Sequence, residues 1–587
     1  MKTTRELRLP AGLLLLICLL VLISTNAVWA EERIVPYQPK SGPFIWASEP
    51  PGDIPFKQSE ELVAILFTGV HSDYRVADTW YPSWASDGNL YSPWTDGQTD
   101  GVESSSGGRN ATTGQAVMVG DDPLNLRIKA LGLIKGDPHP YEGRYPCGSL
   151  VHNGVWYYGT YCLGPSGSVE YDGMTWNWPV LGPIPGFRTS TNYGKTWTDT
   201  PHTPAKPLFP EPAKFMGPVK IGSPKFVDFG KNMEHSPDGK AYLVAYGAEE
   251  NDPKPRYANL SWISGDQVYL ARVVPTIQNI NDESKYEYFA GCEERGNPLW
   301  SYDFEDIKPL LDWNNNMGCV TITYNAPLKR YLMCVTDGWP TVAKMNSYIL
   351  EADMLTGPWR LVAYMKEFGE QGYFLNFPSK FISKDGHTLW LCYSGNFSQG
   401  WNNVYFKANP PGSRYGLVLQ EVKLLNPQTY RDWQMKLKSQ QEEDPLKSDK
   451  NVAQKARVTV SSTHGGYKAE GVIDGVVGGY PEDTAAEWAS DGEKASALVR
   501  LRWDSPQRVD CVWLFDRPNT HADQVTSGLL VFSDGATLNV GELPDDASAA
   551  KEISFPAKEV TWLMFVVNSV KPETLNIGLA EIAVFGP

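Results

Sequence analysis

The segment VADTWYPSWASDGNLYSPWTDGQTDG, Val76 to Gly101, sets Asp78, Asp87, Asp96 and Asp100 among Trp80, Trp84 and Trp94. Carboxylates placed against aromatic rings suit one chemistry well. A desolvated acid keeps its proton toward neutral pH and donates it to a leaving oxygen, while a second carboxylate activates water or attacks carbon. Aromatic faces are also surfaces on which sugar rings stack. Asp78 and Asp96 are therefore the candidate acid/base pair of a glycoside hydrolase, with Trp80, Trp84, Trp94 and Asp100 as candidate substrate contacts.

Register decides whether the pair can meet, because Asp87-Gly88 marks a hairpin turn between the two acids. A two-residue loop at Asp87-Gly88 sets Asp78 opposite Gly97 and points the carboxylates to opposite faces. A three-residue loop, Asp87 to Asn89, sets Asp78 opposite Gln98 and puts both acids on one face with the three tryptophans. Both registers stay open, and the second is the one that explains the composition.

The elements that position these residues repeat along the chain. A strand, an Asp-Gly or Asn-Gly turn and an aromatic strand recur in PSWASDGNLYSPW from 82, GSLVHNGVWYYGTY from 148 and HSPDGKAYLVAYG from 235. CVTITYNAPLKRYLMCV from 319 and SKFISKDGHTLWLCYSG from 379 continue the series, the fourth closing on Asn325-Ala326-Pro327. Five such units predict an all-β five-bladed β-propeller over 31–425, with a sandwich of hairpins as the structural rival. Inner strands of a propeller converge on its axis and open into a funnel, which adds Glu249, Asp337 and Asn376 as candidate substrate-binding residues.

The first hairpin, A-D-T-W then D-G-N-L-Y then W-T-D-G, resembles the first blade of secreted five-bladed propeller glycosidases related to endo-D-arabinanases. In that family an early aspartate and another eighteen positions later act as the acid/base pair, and the resemblance implies those roles for Asp78 and Asp96. Thr95-Asp96-Gly97 departs from the family's G-D-T-like motif, so the resemblance leaves the glycan open. STNYGKTW resembles the Asp-box turn of sialidase-like propellers, with Asn192 in place of the aspartate.

At the N-terminus, Lys2, Arg5 and Arg8 precede an apolar run from Ala11 to Ile23, the pattern of a secretory signal peptide over 1–30. Its apolar core of about thirteen residues is short of the roughly twenty that span a bilayer, so an exported chain without membrane insertion is expected. Residues 426–450 read as a charged surface helix and linker. The remainder, 451–587, resembles the discoidin or factor V/VIII C-terminal-like galactose-binding jelly rolls through NVAQKARVTVSS, AEGVIDG, EWAS and GLAEIAVF. That resemblance implies a structural calcium at Asp474 and Glu581. Its loop residues Trp488, Arg517, Asn519 and Asp523 read either as sugar contacts or as a buried Arg-Asp pair fixing a loop.

A net charge of -16 without a basic stripe argues against nucleic-acid partners. Eight cysteines include Cys18 of the leader, and Cys147/Cys162 and Cys319/Cys334 read either as cross-strand disulfides or as buried thiols. The expected function is a secreted hydrolase of a poly- or oligosaccharide that needs no cofactor for catalysis and carries an appended carbohydrate-binding module. The alternatives are a non-catalytic glycan-binding or adhesion protein, and a sialidase drawing an arginine triad from Arg144, Arg188, Arg256, Arg272 and Arg330.

Overall fold

The computed structural model describes residues 30–37, 42–72, 74–107, 110–135, 143–171, 174–211, 219–248, 262–338, 342–480, 483–519, 522–545, 547 and 549–587. The expected leader, Glu249 and Arg256 lie outside the described residues. Two compact units are present, one over 41–439 and one that joins the N-terminal segment to 440–587.

The first unit is a five-bladed β-propeller. Each of the five hairpin units supplies the two innermost strands of one antiparallel sheet or the turn between them. The innermost strands are Ser83–Trp84, Gly143–His152, Lys225–Phe226, Gly318–Asn325 and Tyr373–Asn376. The fifth blade takes its outer strand from the other end of the chain, since Val418–Leu425 pairs with Ala64–His71, which pairs with Phe44–Ile45. Closing the ring this way ties the first and last parts of the unit into one sheet by main-chain hydrogen bonds. Asn192 serves the Asp-box-like turn as an aspartate would, its Oδ1 accepting from the Thr196 amide at 2.9 Å.

The second unit is a jelly-roll β-sandwich built on a seven-stranded sheet that includes Leu498–Phe515, Ala549–Val570 and Glu581–Phe585. Two sequence boundaries shift. Strand Glu31–Pro36, assigned by sequence to the propeller, pairs antiparallel with Ala549–Val570, where it gains main-chain hydrogen bonds and the Arg33–Glu552 ion pair. The expected linker is ordered throughout its described part. Helix Pro427–Glu443 lays Tyr430, Trp433 and Leu437, three and four residues apart, over Ala64, Leu66 and Leu425 of the fifth blade. Beyond it, Leu446 is fully buried in a cluster with Tyr37, Phe515 and Ala580.

The seven cysteines among the described residues are thiols, none disulfide-bonded. A bulge between Pro146 and Ser149 sets Cys162 opposite Arg144, and Cys334 stands opposite Thr321, so neither pair is in register to bridge and the buried-thiol reading holds. Among the described residues no helix is long and apolar enough to cross a membrane.

Candidate functional site

The first hairpin adopts neither expected register. Ala85 pairs with Asn89 around a three-residue loop, Ser86 to Gly88, in which Gly88 takes the positive φ of 89° that a side chain would resist. A further one-residue slip places Asp78 opposite Thr95, with both amide-to-carbonyl bonds at 3.0 Å. Thr79 and Asp96 carry positive φ values of 65° and 49°, a strained backbone for residues of these types at adjoining positions of the two strands. The Asp96 charge nonetheless reaches Asp78.

Asp78 is 7% exposed. Its Oδ2 accepts from the Tyr373 hydroxyl at 2.8 Å and its Oδ1 from Thr79 Oγ1 at 2.9 Å. Burial pushes its pKa well above the carboxylate range, the Asp96 charge adds to the shift, and the bonds from Tyr373, Thr79 and Tyr415 oppose it. Asp96 is half-buried, with Oδ1 accepting from the Ser106 amide at 2.8 Å and Oδ2 from the Ser106 hydroxyl. Burial raises its pKa as well, against those two bonds. Tyr415, 37% exposed, donates to the Asp96 carbonyl oxygen at 2.6 Å and forms the open side of the pair. Among the described residues, the groups that chiefly set the two pKa values include no cation.

The aromatic surroundings are not the expected ones. Trp80 and Trp94 are 1% and 0% exposed, stack at 6.4 Å and pack with Phe381, Trp390 and Leu417 between blades one and five. They are core, large indoles that bury their apolar area between neighbouring sheets. Trp84 packs partly against the same cluster. The rings beside the acids come from blade five. Tyr373 meets Phe397 at 5.9 Å, and Phe397 meets Trp401 at 5.7 Å, which is 43% exposed. Trp262 of the third blade closes on Tyr373 at 5.2 Å. Sequence reading missed Tyr373, Phe397, Trp401 and Tyr415, whose only local signals were GYFLNF, SGNFSQGW and SRYG.

Other sequence candidates separate from the pair. Asp100 sits at an exposed Asp-Gly turn between Gly97–Thr99 and Val102–Ser104. Asp337 ends strand Arg330–Asp337, and burial raises its pKa to about 7, but its recorded neighbours Asn346, Tyr348 and Tyr364 belong to its own blade. Asn376 spends its amide on the Trp80 and Phe374 carbonyls and so ties blade five to blade one. Among the arginines weighed for a sialidase triad, Arg188, Arg272 and Arg330 are committed to Asp199, Glu287 and an acidic cluster of Glu61, Glu351 and Asp353. Arginines neutralised by local carboxylates do not clamp a substrate acid.

In the second unit, Arg517 is 4% exposed and binds Glu487 through Nε at 2.8 Å and Asp523 through Nη1 at 2.7 Å. Asn519 also donates to Asp523, and Trp488 is fully buried. Of the two readings of these loop residues, the buried ion pair holds. Glu581 is fully buried, with Oε1 accepting from the Gly475 amide at 3.2 Å and Oε2 without a hydrogen-bond partner. Burial, then the Asp474 and Asp444 charges, push its pKa well above the usual range. An orphaned buried carboxylate oxygen beside two further acids is the kind of charge arrangement a hard cation relieves. Among the described residues no three acidic, His or Cys side chains are grouped to hold a metal by themselves, so main-chain carbonyls would complete such a site.

A family model described as a domain of unknown function, DUF7402, matches residues 451–585. No curated protein matches the chain. Solved structures that resemble part of it include a family 32 carbohydrate-binding module of a Clostridium perfringens GH89 enzyme in complex with GalNAc-β-1,3-galactose. It is 17% identical, with a TM-score of 0.20 over 23% of this chain and 99% of that one. The family 32 module of Clostridium perfringens NanJ in complex with galactose is 13% identical, with a TM-score of 0.20 over 23% and 98%. The lectin domain of lectinolysin complexed with Lewis B antigen is 20% identical, with a TM-score of 0.21 over 24% and 98%.

Proposed function

We propose that the protein is an exported glycoside hydrolase acting on a poly- or oligosaccharide, with a carbohydrate-binding module as its second unit. The observation that carries this reading is the Asp78–Asp96 pair: two carboxyls of one hairpin, the charge of Asp96 raising Asp78, with no neutralising cation named among the described residues and bordered by an aromatic run from Tyr373 to the exposed Trp401. Asp78 is the more strongly raised acid and acts as the proton donor to the glycosidic oxygen. Asp96, whose ionised form the two bonds from Ser106 favour, is its partner, as base or nucleophile. Phe397 and Trp401 stack the sugar. Asp474 and Glu581 hold a structural calcium that neutralises the orphaned Glu581 oxygen. The test is release of reducing ends from a panel of plant, algal and bacterial polysaccharides by the purified protein, against Asp78→Asn and Asp96→Asn. Equal turnover by all three proteins would sink the assignment.

A second reading, a glycan-binding platform without turnover, is favoured by the low exposure of Asp78. It predicts glycan affinity that survives both substitutions and no new reducing ends.

A further inference from the structure

The inner hairpin of each blade runs from an open end, where Asp78 bridges Thr95 in blade one, to a turn at the opposite end of the propeller. At that turn end, between blades three and four, lies a cavity of about 210 Å3. Pro237, beside the Asp238-Gly239 turn, and Tyr242 line it from the inner hairpin of blade three, and Trp300 lines it from that blade's strand Pro298–Ser301. Tyr331, near the start of strand Arg330–Asp337, and the turn at 354–356 line it from blade four.

The blade-three wall is a braced aromatic surface. The half-buried Trp300 indole has the Arg272 guanidinium 3.9 Å from its ring centroid, with Tyr242 edge-on at 5.8 Å and Phe289 edge-on at 6.0 Å. Both charges in the lining are already matched. Arg272 is held by Glu287 and Asp238, and Asp353 by Arg330 and Arg360. The uncharged polar groups of the lining are not. Trp300 Nε1, the Tyr331 hydroxyl and Thr356 Oγ1 make no hydrogen bond among the described residues, and none of the three is sealed from solvent.

A charged ligand would find no unmatched charge to pair with, and a purely apolar one would strip water from those three groups without replacing it. A neutral sugar ring meets both conditions, since its C–H face packs on aromatic rings and its hydroxyls pair with an indole N–H and with hydroxyls. The volume is below the roughly 300–1,000 Å3 of sites for drug-sized ligands, which suits one ring of a chain that continues into solvent. We propose that this cavity is a further sugar site, taking one uncharged residue of a polysaccharide at the end of the propeller opposite Asp78 and Asp96. The ligand class rests on the glycan reading above. The site does not depend on the acid pair, because a protein without turnover would keep it.

Electrophoresis of the full chain through native gels cast with arabinan, galactan, xylan or β-glucan, and with polygalacturonate as the acidic comparison, tests the site. The wild type should be retarded by at least one neutral polysaccharide, and Trp300→Ala should bind that one at least about fivefold more weakly, as truncation of an aromatic anchor does. Equal retardation of both proteins overturns the site and leaves the glycan reading standing. No retardation of the wild type in any gel overturns both. A loss confined to polygalacturonate overturns the neutral ligand. Should Trp300→Ala not fold, Thr356→Trp, which fills the cavity from a turn, takes its place, with the same loss expected and unchanged retardation overturning the proposal.

Discussion

Two buried acidic clusters of this chain contain the same kinds of side chain and have opposite electrostatics. In the jelly roll, Glu487 and Asp523 close on the Arg517 guanidinium at 2.8 and 2.7 Å, so the carboxylates stay paired with a cation and fix their loops. In the propeller, Asp78 and Asp96 share a slipped hairpin, the Asp96 charge adds to the rise of the Asp78 pKa, and the donors to both among the described residues are hydroxyls and an amide. A buried carboxylate with a guanidinium partner is a structural device, whereas one with another carboxylate beside it holds a proton it can give away. The difference between the regions is a countercharge.

The comparison breaks most directly at Asp78. If the pair is catalytic, Asp78→Asn lowers kcat by about 10²- to 10⁴-fold on whichever glycan is cleaved, as loss of a general acid does. The fold should respond in the other direction. A carboxyl whose folded pKa is raised contributes stability below its unfolded pKa near 3.8 and loses it as pH rises through the folded value. Asn does not ionise, so the variant should lose less Tm than the wild type on passing from pH 5 to pH 8, while Asp337, raised to about 7, titrates in both proteins. Thermal unfolding across that range checks both halves. A wild-type profile as flat as the variant's would mean that Asp78 is ionised and unshifted.

Arg517 gives the converse. Arg517→Met leaves Glu487 and Asp523 as uncompensated buried charges, a cost of about 3–5 kcal/mol. Unfolding should show the jelly-roll transition falling while glycan turnover by the propeller persists, measured by calorimetry beside the reducing-end assay. Loss of both together would deny the two units their independence.

What sequence could reach follows the range of the interactions. Five blades were legible because each inner hairpin announces itself within about fifteen residues, by alternation and a turn residue that tolerates positive φ. Closure of the fifth blade was not, because Val418–Leu425 finds its partner at Ala64–His71, and nothing local marks that pairing. The acids were legible by type and spacing, but their slipped register depends on positive φ at Thr79 and Asp96, which side-chain pattern does not encode. Tryptophan content was read as a sugar platform when Trp80 and Trp94 are interblade packing. Core and platform use the same rings, and only the third dimension separates them. Tyr373 and Tyr415 reach Asp78 and Asp96 from blade five, across more than half of the propeller's sequence.

Glu581 lies between the two extremes, an acid whose countercharge comes from outside the chain in the proposed reading. Removing calcium with a chelator should lower the Tm of the jelly roll, by roughly 3 kcal/mol of stability if calcium was held at a hundredfold its Kd. Glu581→Gln should remove the response. A chelator effect of equal size in that variant would place the ion elsewhere.

Tyr373→Phe sharpens the propeller side by removing one donor to Asp78 and leaving the carboxyls in place. Its hydroxyl favours the ionised form, so its loss raises the Asp78 pKa further and moves the alkaline limb of kcat/KM upward. A hydrogen bond to a charged group contributes about 1.5–3 kcal/mol, which bounds the shift at about one to two pH units. A limb that stays in place would mean that Asp78 does not set it.

The smallest effect separates the two acids. Ser106→Ala takes one of two Ser106 donors from Asp96 and leaves the amide bond at 2.8 Å intact. The Asp96 carboxylate loses part of its stabilisation, so its pKa rises and the acidic limb of kcat/KM moves upward by about a unit or less. If Asp96 is the base and Asp78 the acid, the alkaline limb should hold still, because Ser106 makes no bond to Asp78. Movement of both limbs together has a definite meaning as well. The protons would then belong to the pair, with macroscopic pKa values shared between the carboxyls. Assigning acid and base would then require following each carboxyl by its own carbon resonance, because rates report only the sum.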